Sequence, residues 1–397
     1  MKAVFDPCTL KGSVTAPPSK SAAHRSLIAA YLSGSECTID NIALSEDIKA
    51  TISCLEALGA DITVSQNSAY VKPALPKGNT LNCSESGSTL RFLIPPVLKT
   101  NRKITFCGSR KLFERPLSVY EKIAEENGFL FEKGDGCLTV KGSIKSGVYK
   151  IDGSISSQFI TGLLFALPTL ENDSIIEIMP PFESRSYVLI TLDILKKFGI
   201  SAELDGLMIK IPGGQKFSAE NITVEGDYSN AAYIDAFNEA GGSITINGLG
   251  KTNQGDAIYK KLYAELSEFS TIDISNCPDL GPVLFTVAAL KNGARFTGTK
   301  RLELKESDRK SAMCEELKKF GINISCSENE VLVPKSEIQK PQEPLSAHND
   351  HRILMALCVL LSLTGGEIYE AESVKKSFPD YFEKIKKLGA KFKLTEE

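Results

Sequence analysis

The stretch PSKSAAHR, residues 18–25, sets Lys20, Ser21, His24 and Arg25 at the start of the apolar segment SLIAAYLSG, whose spacing predicts a helix ending at Gly34. A helix N-terminus carries roughly half a positive charge on its unpaired N–H groups, so cations there need a negative partner. The pattern recurs. ESGSTLRF (85–92) places Gly87, Ser88 and Arg91 at another such start, and SISSQF (154–159) places Ser156, Ser157 and Gln158 at a third. In FESRSYVLIT, Ser184, Arg185 and Tyr187 precede an amphipathic segment, and Arg115 is held extended before Pro116 in FERP. The second half has KESDR (305–309), with Lys305 and Arg309 four apart on the face of a predicted helix and Glu306 pointing elsewhere. NDHR puts Asp350, His351 and Arg352 before an apolar run, Lys375 and Lys376 precede a further helix, and Asp279 stands ahead of GPVLFTVAAL.

Singly, each motif fits an ordinary reading: a serine cap, a solvated cation, a salt-bridged surface helix, an aspartate cap. Together they point to helix N-termini converging on a cleft between two halves of the chain, where bound anions supply the missing negative charge. Charge-assisted hydrogen bonds to such anions contribute about 1.5–3 kcal/mol each, enough to outweigh the local repulsion. One basic cluster per half suggests two anionic ligands.

The composition sets bounds on this chemistry. The 397 residues are 42% hydrophobic and 24% charged, with a net charge of −3, as expected of a globular chain of at least two domains. That balance argues against nucleic acid as a partner. The apolar run ILMALCVLLSL is about half the length needed to span a bilayer, and MKAVFDPC lacks a signal-peptide core, so no membrane association and a cytoplasmic location are expected. Ten cysteines without CxxC spacing read as free thiols, and three histidines without HExxH give no metal site.

The elements that position these residues repeat. A helix ending in glycine, then a strand, a turn and a strand, recurs around Gly59, Gly128, Gly199, Gly321 and Gly389, with gaps of 69, 71, 122 and 68 residues. The long gap leaves room for a degenerate sixth copy near 263–275, making six units of roughly 66 residues. The last copy, 385–397, has one strand only, for which MKAVFDP is a candidate partner. The chain would then start in its C-terminal half, build three units and return for three more. This predicts α/β architecture with mixed strand pairing.

In motif order and spacing, PSKSAAHR, ESGSTLR, FERP, SSQF, SRSY, KESDR, NDHR and KKSFPDYF resemble the 5-enolpyruvylshikimate-3-phosphate synthase family over essentially the whole chain. The resemblance implies two similar domains, each an inside-out α/β barrel of three units with helices packed inside mixed sheets, and an active site in the interdomain cleft. Residues 15–227 would bind shikimate 3-phosphate, and 1–14 with 228–397 would carry phosphoenolpyruvate and the catalytic groups. It implies transfer of an enolpyruvyl group to the 5-hydroxyl of shikimate 3-phosphate without metal or organic cofactor. Lys20, Ser21, Arg25, Ser156, Ser157, Gln158, Ser184 and Tyr187 match shikimate 3-phosphate contacts. Lys20, Gly87, Arg115, Gln158, Arg309, Arg352 and Lys376 match phosphoenolpyruvate contacts. Asp279 and Lys305 match the residues that hold and deprotonate the hydroxyl, Glu306 the proton donor to the methylene carbon, and His351 joins the catalytic set. Two departures are Glu85-Ser86-Gly87-Ser88, where many members have Asn-Ala-Gly-Thr, and Arg301, where Asn is common. The rival readings are the sister transferase acting on UDP-N-acetylglucosamine, which typically has Lys-Asn where this chain has Lys20-Ser21, and a non-catalytic sensor of phosphorylated metabolites. A monomer is expected.

Overall fold

The computed structural model describes residues 1–396, so the last residue of the final repeat, Glu397, lies outside the described residues. The contacts divide the chain into two compact units, Pro18–Glu225 and Met1–Pro17 with Gly226 onward. Each has its own hydrophobic core.

The repeat is clearest over residues 80–141. A short strand, Thr80–Asn82, leads into the helix Gly87–Val97, in which every residue except Ser88 is buried. Such an all-round apolar helix must be covered on all sides. The strand Ile104–Cys107 follows, then the amphipathic helix Ser118–Asn127, which buries Val119, Tyr120, Ile123 and Ala124 on one face. The hairpin Leu130–Gly134 and Cys137–Lys141 closes the unit. Ile104–Cys107 runs parallel to Thr80–Asn82 and antiparallel to Cys137–Lys141, which gives a four-stranded mixed sheet. The glycines that end the outer helices, Gly59, Gly128, Gly199, Gly321 and Gly389, all have positive φ, from 73° to 120°, as the sequence pattern requires.

Two copies depart from this plan. Lys2–Asp6 pairs antiparallel with Lys391–Thr395, Lys2 facing Thr395 and Asp6 facing Lys391, so the first strand completes the last unit. In the degenerate copy, Ser243–Asn247 pairs, among the described residues, only with Lys11–Thr15, and after the helix Tyr259–Glu265 the chain passes to the strand Thr271–Asp273 without a hairpin. Its edge strand is exchanged: Lys11–Thr15, which precedes the helix Lys20–Ser33, serves this sheet, while Ile222–Thr223, which precedes the helix Tyr228–Glu239, runs beside Cys37–Asp40. The six sheets are open among the described residues, and none closes into a barrel. In the unit that contains the C-terminal half, the helices Tyr228–Glu239, Gly281–Leu290 and His351–Thr364 pack on one another. No helix among the described residues is long and apolar enough to cross a membrane.

Candidate active site

In the unit Pro18–Glu225, Ser19 caps the helix Lys20–Ser33 by accepting from the Ala22 amide, so Lys20 is its first residue. Its counter-charge comes from the chain itself: Nζ lies 2.7 Å from Asp47 Oδ2, in the first turn of the helix Glu46–Leu58. Ser21 is partly buried one residue on. His24 is no cation, since burial, aided by Lys20 and Arg25, holds its imidazole well below its ordinary pKa.

Arg25 is 2% exposed and among the described residues meets only neutral acceptors: Thr191 Oγ1 at 2.7 Å, the Ser21 carbonyl at 2.6 Å, the Tyr187 carbonyl at 3.2 Å and Thr161 Oγ1 at 3.4 Å. Its guanidinium also lies over the Phe92 ring. Burial without a carboxylate pushes its pKa down to about 9, so the buried charge would gain from an added anion.

Arg115 closes the turn Arg110–Glu114 in extended backbone, as the following proline demands. Its guanidinium lies against Gly87, where an added Cβ would stand 2.8 Å from Nη1. Gly87 is the first residue of its helix, so the absent side chain lets a cation reach a helix N-terminus. Arg91, singled out in the same motif, braces this arrangement: Nη1 donates to Gln158 Oε1 at 2.6 Å and Nη2 to the Pro116 carbonyl at 2.9 Å. Gln158 donates in turn to Ser88 Oγ at 3.0 Å. Ser156 caps the helix Ser157–Ala166 by accepting from the Gln158 amide, and Ser157 is buried beside it. Ser184 takes left-handed backbone, φ 55°, before the helix Arg185–Lys197, and its side chain does not cap that helix. Tyr187 is half-buried, and its carbonyl accepts from Arg25.

In the other unit, Asp279 lies within the tight turn Pro278–Leu280, and the helix that follows has no side-chain cap. The capping reading of Asp279 is therefore wrong. Its Oδ1 accepts from Lys305 Nζ at 3.2 Å and Arg309 Nη1 at 2.8 Å, and Oδ2 faces Arg352 Nη2 at 3.8 Å. Burial alone would raise this carboxyl, but Lys305, Arg309 and Arg352 together hold it well below the usual range. Lys305 does not share a helix face with Arg309. Asp308 caps the helix by accepting from the Ser311 amide, so the helix starts at Arg309 and Lys305 is left in extended backbone. The two cations meet through Asp279 instead. Burial pushes Lys305 down to about 8, against the pull of Asp279.

Asp350 caps the helix His351–Thr364 through the Arg352 amide and receives Arg309 at 2.8 and 3.2 Å and Ser307 Oγ at 3.0 Å. His351 Nδ1 is 3.0 Å from Glu306 Oε2. Arg352 donates to Asn230 Oδ1 at 3.3 Å and lies over the Tyr233 ring. Lys376 Nζ donates to the Asn349 carbonyl at 2.6 Å, while Lys375 is exposed. Arg301 is buried in the turn Lys300–Leu304.

Each unit thus collects cations, as expected, but protein carboxylates already balance Lys20, Arg309 and Arg352. Asp47 and Asp350 were not read as partners, because a cap or a surface acid looks the same in sequence, and Asn230, buried inside the helix Tyr228–Glu239, carries no motif of its own. Asp256 was also missed; it is a buried carboxyl pushed up to about 7 by burial and by Asp279. Among the described residues, two groups could offer donors to a metal, Glu306–Asp350–His351 and Glu315–Glu316–His348. In both, the buried carboxylate is already engaged, Asp350 by Arg309 and Glu316 by Lys319.

Comparison with known proteins gives the family. The family model described as EPSP synthase (3-phosphoshikimate 1-carboxyvinyltransferase) matches residues 5–385. A 3-phosphoshikimate 1-carboxyvinyltransferase of Clostridium perfringens is 39% identical over 98% of both chains. One of Clostridium acetobutylicum is 41% identical over 97% of this chain and 96% of its own. The solved EPSP synthase of Acinetobacter baumannii has the same fold, with a TM-score of 0.81 over 100% of both chains at 20% identity. The full-length match, with the motifs folded into one cationic cluster per unit, shows that the chain belongs to the EPSP synthase (3-phosphoshikimate 1-carboxyvinyltransferase) family.

Proposed function

We propose that this chain transfers the enolpyruvyl group of phosphoenolpyruvate to the 5-hydroxyl of shikimate 3-phosphate and releases phosphate. The observation that carries this reading is Asp279 ringed by Lys305, Arg309 and Arg352, with Glu306 held on His351 in the same unit. Addition of an alcohol to a vinyl carbon needs a base at the oxygen and an acid at the methylene, and binding alone needs neither. That speaks against a non-catalytic sensor.

The two groups at the hydroxyl have separate roles. Asp279, held strongly ionised, is a poor base and a good acceptor, so it orients the 5-hydroxyl. Lys305, at about 8, is the group that takes the proton. The oxygen bonds to C2 of phosphoenolpyruvate while Glu306 gives a proton to C3, forming a tetrahedral adduct. Loss of a proton from the new methyl group and cleavage of the C2–O bond then restore the vinyl group and expel phosphate. Arg309, Arg352 and Lys376 hold the carboxylate and phosphate as charge moves between them. His351 fixes the Glu306 carboxyl.

In the unit Pro18–Glu225, Lys20, Gly87, Arg115 and Gln158 take phosphoenolpyruvate. Ser21, Arg25, Ser156, Ser157, Gln158, Ser184 and Tyr187, with Lys20, take shikimate 3-phosphate. The neutral surroundings of Arg25 support a phosphate there, since an anion would give that buried charge its missing partner. The chain is read as a cytoplasmic monomer with small-molecule partners only.

Phosphate release from purified protein with phosphoenolpyruvate and each acceptor tests the reading. Turnover is expected with shikimate 3-phosphate; turnover with UDP-N-acetylglucosamine alone would transfer the protein to the sister activity, and none with either would leave a sensor.

A further inference from the structure

The turn that delivers Asp350, His351 and Arg352 begins with two consecutive residues in left-handed backbone, His348 at φ 51° and Asn349 at φ 52°. Non-glycine residues are uncommon in that region, although histidine and asparagine enter it more readily than most, and here two in succession are held by contacts from outside. The anchor lies on the helix Arg309–Lys318. Arg309 and Glu316 are seven residues apart, two turns, and so share one face. Arg309 grips Asp350 Oδ2 at 2.8 Å, and Glu316 Oε1 meets His348 Nε2 at 3.1 Å, so one helix face holds both ends of the turn. Glu316 is itself fixed: it is fully buried, each carboxylate oxygen receives Lys319 at 3.0 Å, and Oε2 also accepts from the Ser346 amide at 3.1 Å. Ser346 Oγ accepts from the His348 amide at 2.9 Å and donates to Glu370 at 2.8 Å, while Lys376 Nζ holds the Asn349 carbonyl at 2.6 Å.

We propose that His348 is a positioning residue, whose contact with Glu316 keeps the left-handed turn in the shape that aims His351 and Arg352 at phosphoenolpyruvate. The inference rests on the assignment of Arg352 to that substrate. His348 is half-buried, and the charged groups around it are mostly acidic: Glu316, then Glu315 at 4.0 Å and Glu370, with Lys319 beyond Glu316 and Asp350, His351 and Lys376 along its own turn. The Glu316 hydrogen bond, opposed in part by burial, raises the imidazole pKa, so it carries charge further into the neutral range than a free histidine does. As pH rises through that pKa, the ion pair weakens to a neutral hydrogen bond and the turn loosens.

The test is the KM for each substrate against pH in wild type, His348→Ala and His348→Gln. A glutamine amide can replace the Nε2 contact but does not titrate. His348→Ala should raise the phosphoenolpyruvate KM by roughly tenfold or more, towards the about 10²-fold that a 1 Å misplacement can cost, with the shikimate 3-phosphate KM nearly unchanged. His348→Gln should recover most of this loss. In wild type, the phosphoenolpyruvate KM should climb as pH rises through the raised pKa of His348, and that climb should vanish in His348→Gln. Equal changes in both KM values, a lower melting temperature with no KM change, or a climb that persists in His348→Gln would each overturn the proposal. A wild type that releases no phosphate from shikimate 3-phosphate would instead remove the functional reading beneath it, and would be seen before any variant is made.

Discussion

Lys20 Nζ and Asp47 Oδ2 are 2.7 Å apart, both less than a fifth exposed, in the first turns of two different helices. The helix start that looked short of negative charge is already neutralised by its neighbour. On the proposed assignment, a substrate phosphate would share or displace a carboxylate at Lys20 instead of filling a vacancy.

Asp47→Asn should then weaken the ligand-free protein by about 1.5–3 kcal/mol, the value of a charge-assisted hydrogen bond at a partly buried site. Saturating shikimate 3-phosphate should narrow the difference, because its phosphate offers Lys20 another anion. Urea unfolding with and without the ligand measures both. An identical loss in the two conditions would mean that the phosphate does not reach Lys20.

How far the sequence reached follows from the range of each interaction. Gly59, Gly128, Gly199, Gly321 and Gly389 mark helix ends through local backbone geometry, so the repeats were legible, as was the need for Lys2–Asp6 to complete the last one. Partners were not legible. Asp47 follows Ser45 and Glu46 at a helix start and reads as a dipole-matched surface acid, while its cation is 27 residues away. Lys305 and Arg309 have helical spacing, but Asp308 caps between them and moves the helix start past Lys305. A local pattern says which types are available; the topology decides which of them meet.

Gly87 tests the close approach of Arg115. In Gly87→Ala the new Cβ would lie 2.8 Å from Arg115 Nη1, nearer than real contacts allow, so the guanidinium, the far end of a flexible side chain, would have to shift. The fold should survive, with the phosphoenolpyruvate KM raised about tenfold or more and the shikimate 3-phosphate KM within a few-fold. Steady-state kinetics varying one substrate at a time separates the two. An unchanged phosphoenolpyruvate KM would remove Arg115 from that site.

Glu306 offers a cleaner separation of chemistry from binding. Its Oε2 lies 3.0 Å from His351 Nδ1, so Glu306→Gln preserves shape and a hydrogen-bonding end while deleting the transferable proton. A general acid contributes about 10²–10⁴-fold, so kcat should fall by that order with both KM values within a few-fold. If KM and kcat change together by similar factors, Glu306 is structural.

As the proposed base, Lys305 should set the pH dependence. Its pKa is lowered to about 8, and only the neutral amine can take the hydroxyl proton, so activity should rise with pH through about 8 as the ammonium deprotonates. Asp279 adds no opposing limb in this range: its carboxyl, lowered far below the usual value by the cations around it, stays ionised throughout. Lys305→Arg keeps a cation on Asp279 that cannot act as a base at these pH values. It should lower kcat about 10²-fold or more and flatten the rise, leaving substrate affinity largely intact. The profile is read from kcat at saturating substrate between pH 6 and 9, roughly two units below and one above the expected midpoint. A wild-type rate that falls through this window, or a Lys305→Arg profile that still climbs, would move the base to another residue, and the buried Asp256, pushed up to about 7, would be the next to replace.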